Sequence, residues 1–159
     1  MRGKIESINI SAQRGGKKKP VREALINEFG IECDGHSGEW HRQISLLSYE
    51  SIKSFNQKGS INTKPGDFAE NITTSGIDLI RLKVGDVLSI IDENPEAGDS
   101  KKVILEVTQI GKECVAPCSI FYQVGSCIMP KEGLFCRVIK TGKIKVGDSI
   151  LIEKILENG

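Results

Sequence analysis

Hydrophobic residues recur along this chain in short runs separated by polar and glycine-rich stretches. In the run VILEVTQI, the side chains of Val103, Leu105 and Val107 would share one face of an extended segment. Such alternation is typical of β-strands that are buried on one side. Comparable runs predict strands at Lys4–Ile10, Gln43–Ser48, Val87–Asp92, Val103–Ile110, Leu134–Ile139 and Ser149–Ile155.

Helical periodicity is much rarer. Ser48 is a suitable N-cap for a helix over YESIKSFNQKG, which Gly59 would close. The residues of this helix that would face inward are Tyr49, Ile52 and Phe55. The segment Val21–Phe29 fits either a helix or a strand. Many short strands with glycine-rich turns predict a mainly β protein, a β-barrel with a few short helices, as a single domain over residues 1–159.

Two copies of the tetrapeptide KVGD, at Lys83–Asp86 and Lys145–Asp148, each precede a hydrophobic run. Glycine tolerates positive φ and aspartate favours turns, so both copies are predicted to form the turn into a strand. Two further stretches are predicted to be loops. Ser11–Pro20 is basic and rich in glycine, and Glu93–Lys102 is polar enough for a solvated hairpin loop.

The composition restricts the classes of function. A chain of 159 residues with 38% hydrophobic and 27% charged residues is ordinary for a soluble globular protein. A net charge of +1 gives no reason to expect nucleic acid or a membrane as partner. The N-terminal segment lacks the apolar core of a signal peptide, and no stretch approaches the roughly 20 apolar residues of a membrane span. We therefore expect a cytoplasmic protein whose five cysteines stay reduced.

Three of the five cysteines fall within GKECVAPCSIFYQVGSC, at Cys114, Cys118 and Cys127. They could hold a metal, carry sulfur, form a redox pair or fill a core. Cys118 is the best candidate nucleophile, because it follows a proline at the predicted start of a helical turn, where backbone N–H groups favour a thiolate. A zinc site would need Cys33 and His36 as a second ligand pair, and neither spacing is diagnostic. Cys33 is interpreted as structural, and Cys136, in a predicted strand, as a core residue.

Two polar segments are candidate binding loops. CDGHSGEWHRQISLLS contains both histidines of the chain, His36 and His41, together with Arg42. Histidines bind metals, move protons or donate to phosphate, although a polar loop with capping histidines fits equally well. KPGDFAENITTSGIDL presents Glu70, Asn71 and Thr73, which suit a polar heteroaromatic ligand or a phosphate. Local turns and caps use the same residue types.

Taken together, these segments resemble the MOSC family, which is named for the C-terminal domain of molybdenum-cofactor sulfurase. The matching segments, in addition to an opening KIESINISAQRGGKKKPV, are GIECDGHSGEWHRQISLLSYESI, PGDFAENITTSGIDLIRLKVGDVL and GKECVAPCSIFYQVGSCIMPKEGLFCRVIKTGKIKVGD. The resemblance covers nearly the whole chain, and the sequence is most similar to small bacterial stand-alone members of the family. It implies a β-barrel associated with molybdenum-cofactor (molybdopterin) binding, with sulfur transfer to metal–sulfur centres, or with reduction of N-hydroxylated compounds.

The resemblance also implies roles for individual residues. Cys118 would carry sulfur as a persulfide or ligate molybdenum, and Cys114 and Cys127 are second choices. Phosphate candidates are Arg14, Lys17, Lys18, Lys19 and Arg42, although Lys17–Lys19 fit a solvated loop equally well. The residues expected to bind the cofactor are Lys17, His36, His41, Arg42, Glu70, Asn71, Thr73 and Arg137.

The favoured function is therefore a molybdenum-cofactor-binding and sulfur-carrier module in metal–sulfur cofactor maturation. The alternatives are a molybdenum-dependent reductase of N-hydroxylated compounds and a zinc-stabilised interaction protein. Family members that make their own persulfide carry a pyridoxal-phosphate desulfurase domain, for which 159 residues leave no room. The expected partners are thus a sulfur donor such as a cysteine desulfurase, and cofactor-biosynthesis proteins or acceptor molybdoenzymes. The amidoxime-reducing relatives have a longer N-terminal β-region that this sequence lacks, so any electrons would come from a separate reductase.

Overall fold

The computed structural model describes residues 2–13, 18–94, 102–111 and 128–154. The helices in these ranges are α1 (Tyr49–Gly59), α2 (Met129–Glu132) and a 3-10 helix over Leu79–Arg81. The strands in the same ranges are β1 (Arg2–Ile10), β2 (Lys19–Val21), β3 (Glu23–Asn27), β4 (Gly30–Ile31), β5 (Ile44–Ser48), β6 (Ile72–Ser75), β7 (Val87–Ile91), β8 (Val103–Ile110), β9 (Leu134–Lys140), β10 (Gly142–Lys145) and β11 (Ser149–Lys154).

Seven of these strands form a closed barrel. Their order is β1, β6, β5, β9, β8, β7 and β11, and β11 pairs with β1 to close the ring. The closing pairs are antiparallel and set Arg2 opposite Leu151 and Lys4 opposite Ser149. Strand β2 adds to the other end of β1, and β3, β4 and β10 form a separate three-stranded sheet. The predicted mainly β fold, a β-barrel with few helices, is confirmed.

The barrel interior holds the main hydrophobic core. Isoleucine, leucine and valine side chains from all seven barrel strands meet there, and most are completely buried. In β8 the predicted alternation is confirmed, because Val103, Leu105 and Val107 are buried while the residues between them are partly exposed. Complete burial of one such side chain stabilises the fold by roughly 1.5–3 kcal/mol. A one-residue slip of β8 would expose all three, so the core fixes its register.

Helix α1 lies in the connection between the parallel strands β5 and β6. Ser48 caps α1 as predicted, since its Oγ accepts the backbone N–H three residues later at 3.0 Å. The helix ends at Gly59, and the C-cap residue Ser60 adopts the left-handed conformation at φ 51°. Ile52 is fully buried beneath the helix. Leu46 of β5 lies opposite Ile72 of β6 in parallel register, so the loops that precede both strands lie at the same end of the barrel.

Three turns of the fold share one local structure with the sequence pattern K-x-G-D. In Lys83–Asp86, Lys145–Asp148 and Lys64–Asp67, the aspartate carboxylate accepts the lysine backbone N–H at 2.7, 2.8 and 2.9 Å. The aspartate N–H donates in turn to the lysine carbonyl. The glycines have φ values of 98°, 95° and 92°, which disfavour any residue with a Cβ atom. The two KVGD turns are thus confirmed, and KPGD is a third copy with proline in the variable position.

The short and polar strands were not predicted from the sequence. Strand β6 has the sequence ITTS, whose polar composition indicated a loop, yet its first three residues are buried. The ambiguous segment Val21–Phe29 contains strand β3, which pairs with β10 and β4. Glu93–Lys102 does connect a hairpin, because Ile90 of β7 lies opposite Val103 of β8, although residues 95–101 lie outside the described residues. Pairing partners far along the chain stabilise these segments, and no local pattern encodes them.

Among the helices in the described ranges, none is long and apolar enough to cross a membrane.

Candidate functional site

Two loops meet at one end of the barrel because they lead into adjacent parallel strands. Residues 32–43 precede β5 and residues 60–71 precede β6. Strand β1 runs antiparallel to β6, so its last residues reach the same end, and β2 pairs with them. The candidate site is formed where these four segments converge.

A buried ion pair lies at this convergence. Lys18 Nζ is 2.7 Å from Asp34 Oδ1, and the two residues are only 4% and 5% exposed. Oδ1 also accepts the Ser11 backbone N–H at 3.0 Å, while Oδ2 accepts the His36 backbone N–H at 3.1 Å and the Asn71 amide at 3.0 Å. Burial acts to raise the pKa of Asp34, but the Lys18 and Ser11 hydrogen bonds and the Lys18 charge outweigh it and lower the pKa. The carboxylate therefore stays ionised and holds the loop.

Asn71 connects the loop before β6 to its neighbours. Its Nδ2 donates to Asp34 Oδ2 at 3.0 Å and to the Asn9 carbonyl at 3.2 Å. Its Oδ1 accepts the backbone N–H and the hydroxyl of Ser45 at 3.0 and 3.2 Å. All four hydrogen-bonding positions of this amide are thus used within the protein. Asn71 is fully buried and fixes the site from beneath.

Glu70 is a fully buried carboxyl group in the same loop. Its Oε2 accepts the Thr73 hydroxyl at 2.9 Å, whereas Oε1 has no hydrogen-bond partner among the described residues. Burial raises the pKa of Glu70 to about 7, although the backbone N–H of Gly66 and the Thr73 hydroxyl partly oppose the increase. Asn9 Nδ2 donates to the Glu70 carbonyl and to Thr73 Oγ1, both at 3.2 Å. The network from Lys18 to Glu70 is therefore continuous through Asp34, Asn71 and Asn9.

Above this network, Arg42 lies between two aromatic rings. Its guanidinium carbon is 4.6 Å from the ring centroid of Trp40 and 5.7 Å from that of Phe135. Arg42 Nε is buried and has no hydrogen-bond partner within the described part of the chain. The rings of Trp40 and His36 are stacked, with centroids 6.1 Å apart and planes at 19°. The result is a cationic, aromatic surface with one unused buried donor, which suits an anionic or planar ligand.

Of the other two predicted cofactor residues, His41 contacts this surface, and Arg137 lies in β9 two residues after Phe135. His41 Nε2 is 2.8 Å from Gln109 Oε1, and its ring meets Trp40 edge-on. The His41 carbonyl accepts the Thr108 hydroxyl, which fixes the loop to β8. Arg137 Nε is 3.1 Å from Glu106 Oε1 across β8 and β9, and this pair is largely exposed. The positive charge of Arg137 is therefore paired with the carboxylate of Glu106.

The structure brings His36, His41 and Arg42 together around Trp40. It buries Glu70, Asn71 and Thr73 completely, and Asn71 connects them to the histidine loop through its hydrogen bond to Asp34. Lys18 was a phosphate candidate, and the structure corrects this, because its ammonium is buried against Asp34. Lys19 is exposed. Arg14 and Lys17 lie outside the described residues, so their predicted roles stay predictions.

The structure describes two of the five cysteines, and they differ in exposure. Cys136 is confirmed as a core residue, since it is completely buried and burial raises the pKa of its thiol far above the ordinary value. Cys33 is exposed and has a left-handed φ of 68°. Cys114, Cys118 and Cys127 lie outside the described residues. Among the described residues, no group of three or more His, Cys, Asp or Glu side chains is placed to hold a metal ion.

Sequence reasoning missed the central part of the site. It did not pair Lys18 with Asp34, and it did not single out Asn9 or Ser45. The available signal was Asn9 itself, a polar residue within the Ile-rich run of β1, which the structure shows fully buried beside Ile8. A buried polar residue requires a partner, and this requirement would have indicated a polar network.

Fold and site together define a β-barrel domain with a basic, aromatic surface at the end where β5 and β6 begin. The model of the MOSC domain family matches residues 34–151. This chain belongs to the MOSC domain family, which is associated with the molybdenum cofactor. A search of curated proteins found no match.

Solved structures with the same fold include the YUAD protein from Bacillus subtilis, with a TM-score of 0.75, 21% identity, and 94% of each chain covered. YiiM from Geobacillus stearothermophilus is similar with a TM-score of 0.71 and 19% identity, over 96% of this chain and 75% of that one. YiiM from Escherichia coli has a TM-score of 0.69 and 18% identity, over 99% and 72%. At these identities the likeness concerns the fold.

Proposed function

We propose that this protein binds a molybdenum–pterin cofactor on the Trp40–Arg42 surface and carries sulfur on Cys118 during maturation of metal–sulfur cofactors. Membership of the MOSC domain family supports the class of cofactor. The observation that carries the proposed location is Arg42, whose buried Nε has no partner among the described residues. An unused buried N–H costs about 1–3 kcal/mol, which a bound anion or carbonyl oxygen would recover.

The described residues fit such a cofactor in chemical terms. Arg42 offers a planar, permanently charged donor for a phosphate or a pterin oxygen. His36 and His41 lie on either side of Trp40 and add polar groups at the edge of the surface. The bound molybdenum centre would supply redox chemistry and a site of sulfur ligation. The buried network of Asp34 and Asn71 would keep these side chains in place without contacting the ligand itself.

The proposed sulfur loading is a thiol–disulfide exchange. The thiolate of Cys118 attacks the terminal sulfur of a persulfide R–S–SH on a donor protein such as a cysteine desulfurase. A new S–S bond forms on Cys118, the S–S bond of the donor breaks, and the donor leaves as the thiolate R–S⁻. No external oxidant or reductant is needed. The acceptor would be a cofactor-biosynthesis protein or a molybdoenzyme.

The test uses protein purified from a molybdenum-replete host that makes the cofactor. Molybdenum and pterin content are measured, and intact mass is recorded before and after treatment with a persulfide donor. A carrier should gain the mass of one sulfur atom, lose this gain in Cys118→Ser and keep it in Cys33→Ser, the control for an exposed thiol. An unchanged gain in Cys118→Ser would exclude Cys118 as the carrier.

The same samples test the cofactor site. Arg42→Met should lower pterin content at least tenfold relative to the unaltered protein, whereas Arg81→Met, which removes an exposed arginine beyond the opposite end of β6, should leave it unchanged. Equal pterin content in the two variants would refute the location. Stoichiometric molybdenum with turnover of an N-hydroxylated compound and an electron donor would instead identify a reductase. Bound zinc without pterin would identify an interaction protein.

A further inference from the structure

Gln109 of β8 fixes the orientation of the exposed His41 ring beside Trp40. Gln109 Nε2 donates to the Gly111 carbonyl at 2.8 Å, and Gln109 Oε1 is 2.8 Å from His41 Nε2. A carbonyl oxygen only accepts, so the contact with Gly111 determines which end of the amide is the NH2 group. The end that faces His41 is therefore the amide oxygen, and His41 Nε2 must carry a proton to donate to it.

The second nitrogen of this ring is left with the opposite role. Only one nitrogen of a neutral imidazole is protonated, so His41 Nδ1 keeps its lone pair and can accept a hydrogen bond. No described residue donates a hydrogen bond to this atom. The ring meets Trp40 edge-on, with centroids 6.3 Å apart. The Trp40–Arg42 surface thus offers a hydrogen-bond acceptor in addition to the donors of Arg42.

Strand β8 has an irregularity that brings Gln109 to this position. The buried valine and leucine side chains of β8 alternate into the hydrophobic core, and continued alternation would direct residue 109 there too. A register shift between Val107 and Gln109 interrupts the pairing with β9. Gln109 is therefore only half-buried, and Thr108, at the shift, donates its hydroxyl to the His41 carbonyl. Such β-bulges re-aim side chains next to functional sites.

We propose that Gln109 is a positioning residue that presents His41 Nδ1 as a hydrogen-bond acceptor, and that this acceptor selects ligands with an N–H donor on their edge. A deprotonated phosphate or carboxylate offers only acceptors, so it can pair with Arg42 and not with His41 Nδ1. A heterocycle that carries an N–H next to a carbonyl offers both partners, and pterins belong to this class. The choice of a pterin rests on the proposed function, whereas the orientation of His41 does not.

The orientation of His41 is tested without any cofactor. Long-range 1H–15N correlation spectra report which ring nitrogen of a histidine carries the proton, and at pH 9 an ordinary imidazole is neutral. The chain has two histidines, so the signals lost in His41→Leu belong to His41. In the unaltered protein they should show a protonated Nε2 and a bare Nδ1. A protonated Nδ1 or an averaged mixture of tautomers would overturn the proposal.

Glutamine variants test whether Gln109 is the cause. Gln109→Leu should admit the second tautomer, which shifts the two ring 15N signals of His41 towards each other. Gln109→Thr suits a strand but is too short to reach the ring, so it should give the same shift and provides a second measurement. Gln57→Leu makes the matched change at an exposed position of α1 and should leave both signals in place. Unchanged His41 signals in the Gln109 variants would refute the positioning role.

Free pterin then tests what the acceptor binds, through quenching of its fluorescence as protein is added. His41→Leu should bind pterin about fivefold to tenfold more weakly than the unaltered protein, because one hydrogen bond is lost. His41→Asn can place an amide oxygen near the position of Nδ1, so its affinity should stay within about threefold. Equal weakening in both variants, or full affinity in His41→Leu, would overturn the acceptor role. If the unaltered protein binds no pterin, the ligand is refuted together with the proposed cofactor, and the spectra still decide the orientation of His41.

Discussion

The buried carboxyl group of Glu70 gives a quantitative prediction about stability and pH. Burial raises its pKa from 4.5 to about 7 in the folded protein. The folded state thus holds the proton more tightly than the unfolded chain. The stability from this group is fully present below pH 4.5 and is lost as the pH rises through 7. A difference of about 2.5 pH units, at 1.36 kcal/mol each, corresponds to roughly 3 kcal/mol.

Glu70→Gln removes this titration while keeping a polar group beside Thr73. The variant has its own offset in stability, because the amide replaces one carboxyl oxygen near backbone N–H groups. The offset is independent of pH, so the informative quantity is how the difference between variant and unaltered protein changes with pH. This difference in unfolding free energy should shift by about 3 kcal/mol in favour of the variant between pH 4.5 and pH 8.

The assay is urea unfolding followed by fluorescence of Trp40, the only tryptophan, at several pH values from 4.5 to 8. Glu28→Gln, which changes an exposed carboxyl group, is the control and should alter stability by less than about 0.5 kcal/mol at each pH. If the Glu70→Gln difference stays constant within about 0.5 kcal/mol over this range, burial does not control the ionisation of Glu70 and the reasoning is refuted.

Other predictions follow from burial and backbone geometry. Asp34→Asn leaves a buried ammonium without its counter-charge and should lower the free energy of unfolding by about 3–5 kcal/mol, measured by urea unfolding; a loss under 1 kcal/mol would contradict the buried ion pair. Gly147→Ala should lower the free energy of unfolding by about 1–2 kcal/mol, because the residue has a left-handed φ and its added Cβ would meet nothing within 4 Å. Gly66→Ala should lower it clearly more, because there the added Cβ would also lie 2.5 Å from a backbone carbonyl oxygen. Equal costs in thermal unfolding would argue against the close approach. In native protein a thiol reagent should modify Cys33 and spare Cys136 until urea unfolds the chain, as peptide mapping would show.

Much of the barrel could be predicted from the sequence, because its long strands carry their own pattern. Alternation in Val103–Ile110 and the cap at Ser48 are local signals, and both are confirmed. Strand β6 was missed because its threonines are buried by partners that lie more than 60 residues away in β1. Local propensity is weak where such distant pairing decides the structure.

The candidate site was predicted by residue type and only partly by role. Histidine and arginine within one loop indicated a binding surface, and His36 and Arg42 do lie together around Trp40. The sequence could not indicate that Asn71 would have every hydrogen bond satisfied inside the protein. Nor could it indicate that Lys18 would be buried, since a lysine in a basic loop is ordinarily solvated. Both outcomes depend on where Asp34 is placed by the fold.

The barrel closes by pairing residues 2–4 with residues 149–151, and this has a consequence for synthesis on the ribosome. Translation completes β1 long before its partner β11 exists, so the nascent sheet keeps one unpaired margin for most of the elongation time. An unpaired edge strand can pair with a strand of another chain and so promote aggregation. The exposed side chains of Arg2, Lys4 and Glu6 place a charge at every second position of that margin. Charged side chains on an unpaired strand disfavour edge-to-edge association, so we expect them to limit it while the barrel is still open.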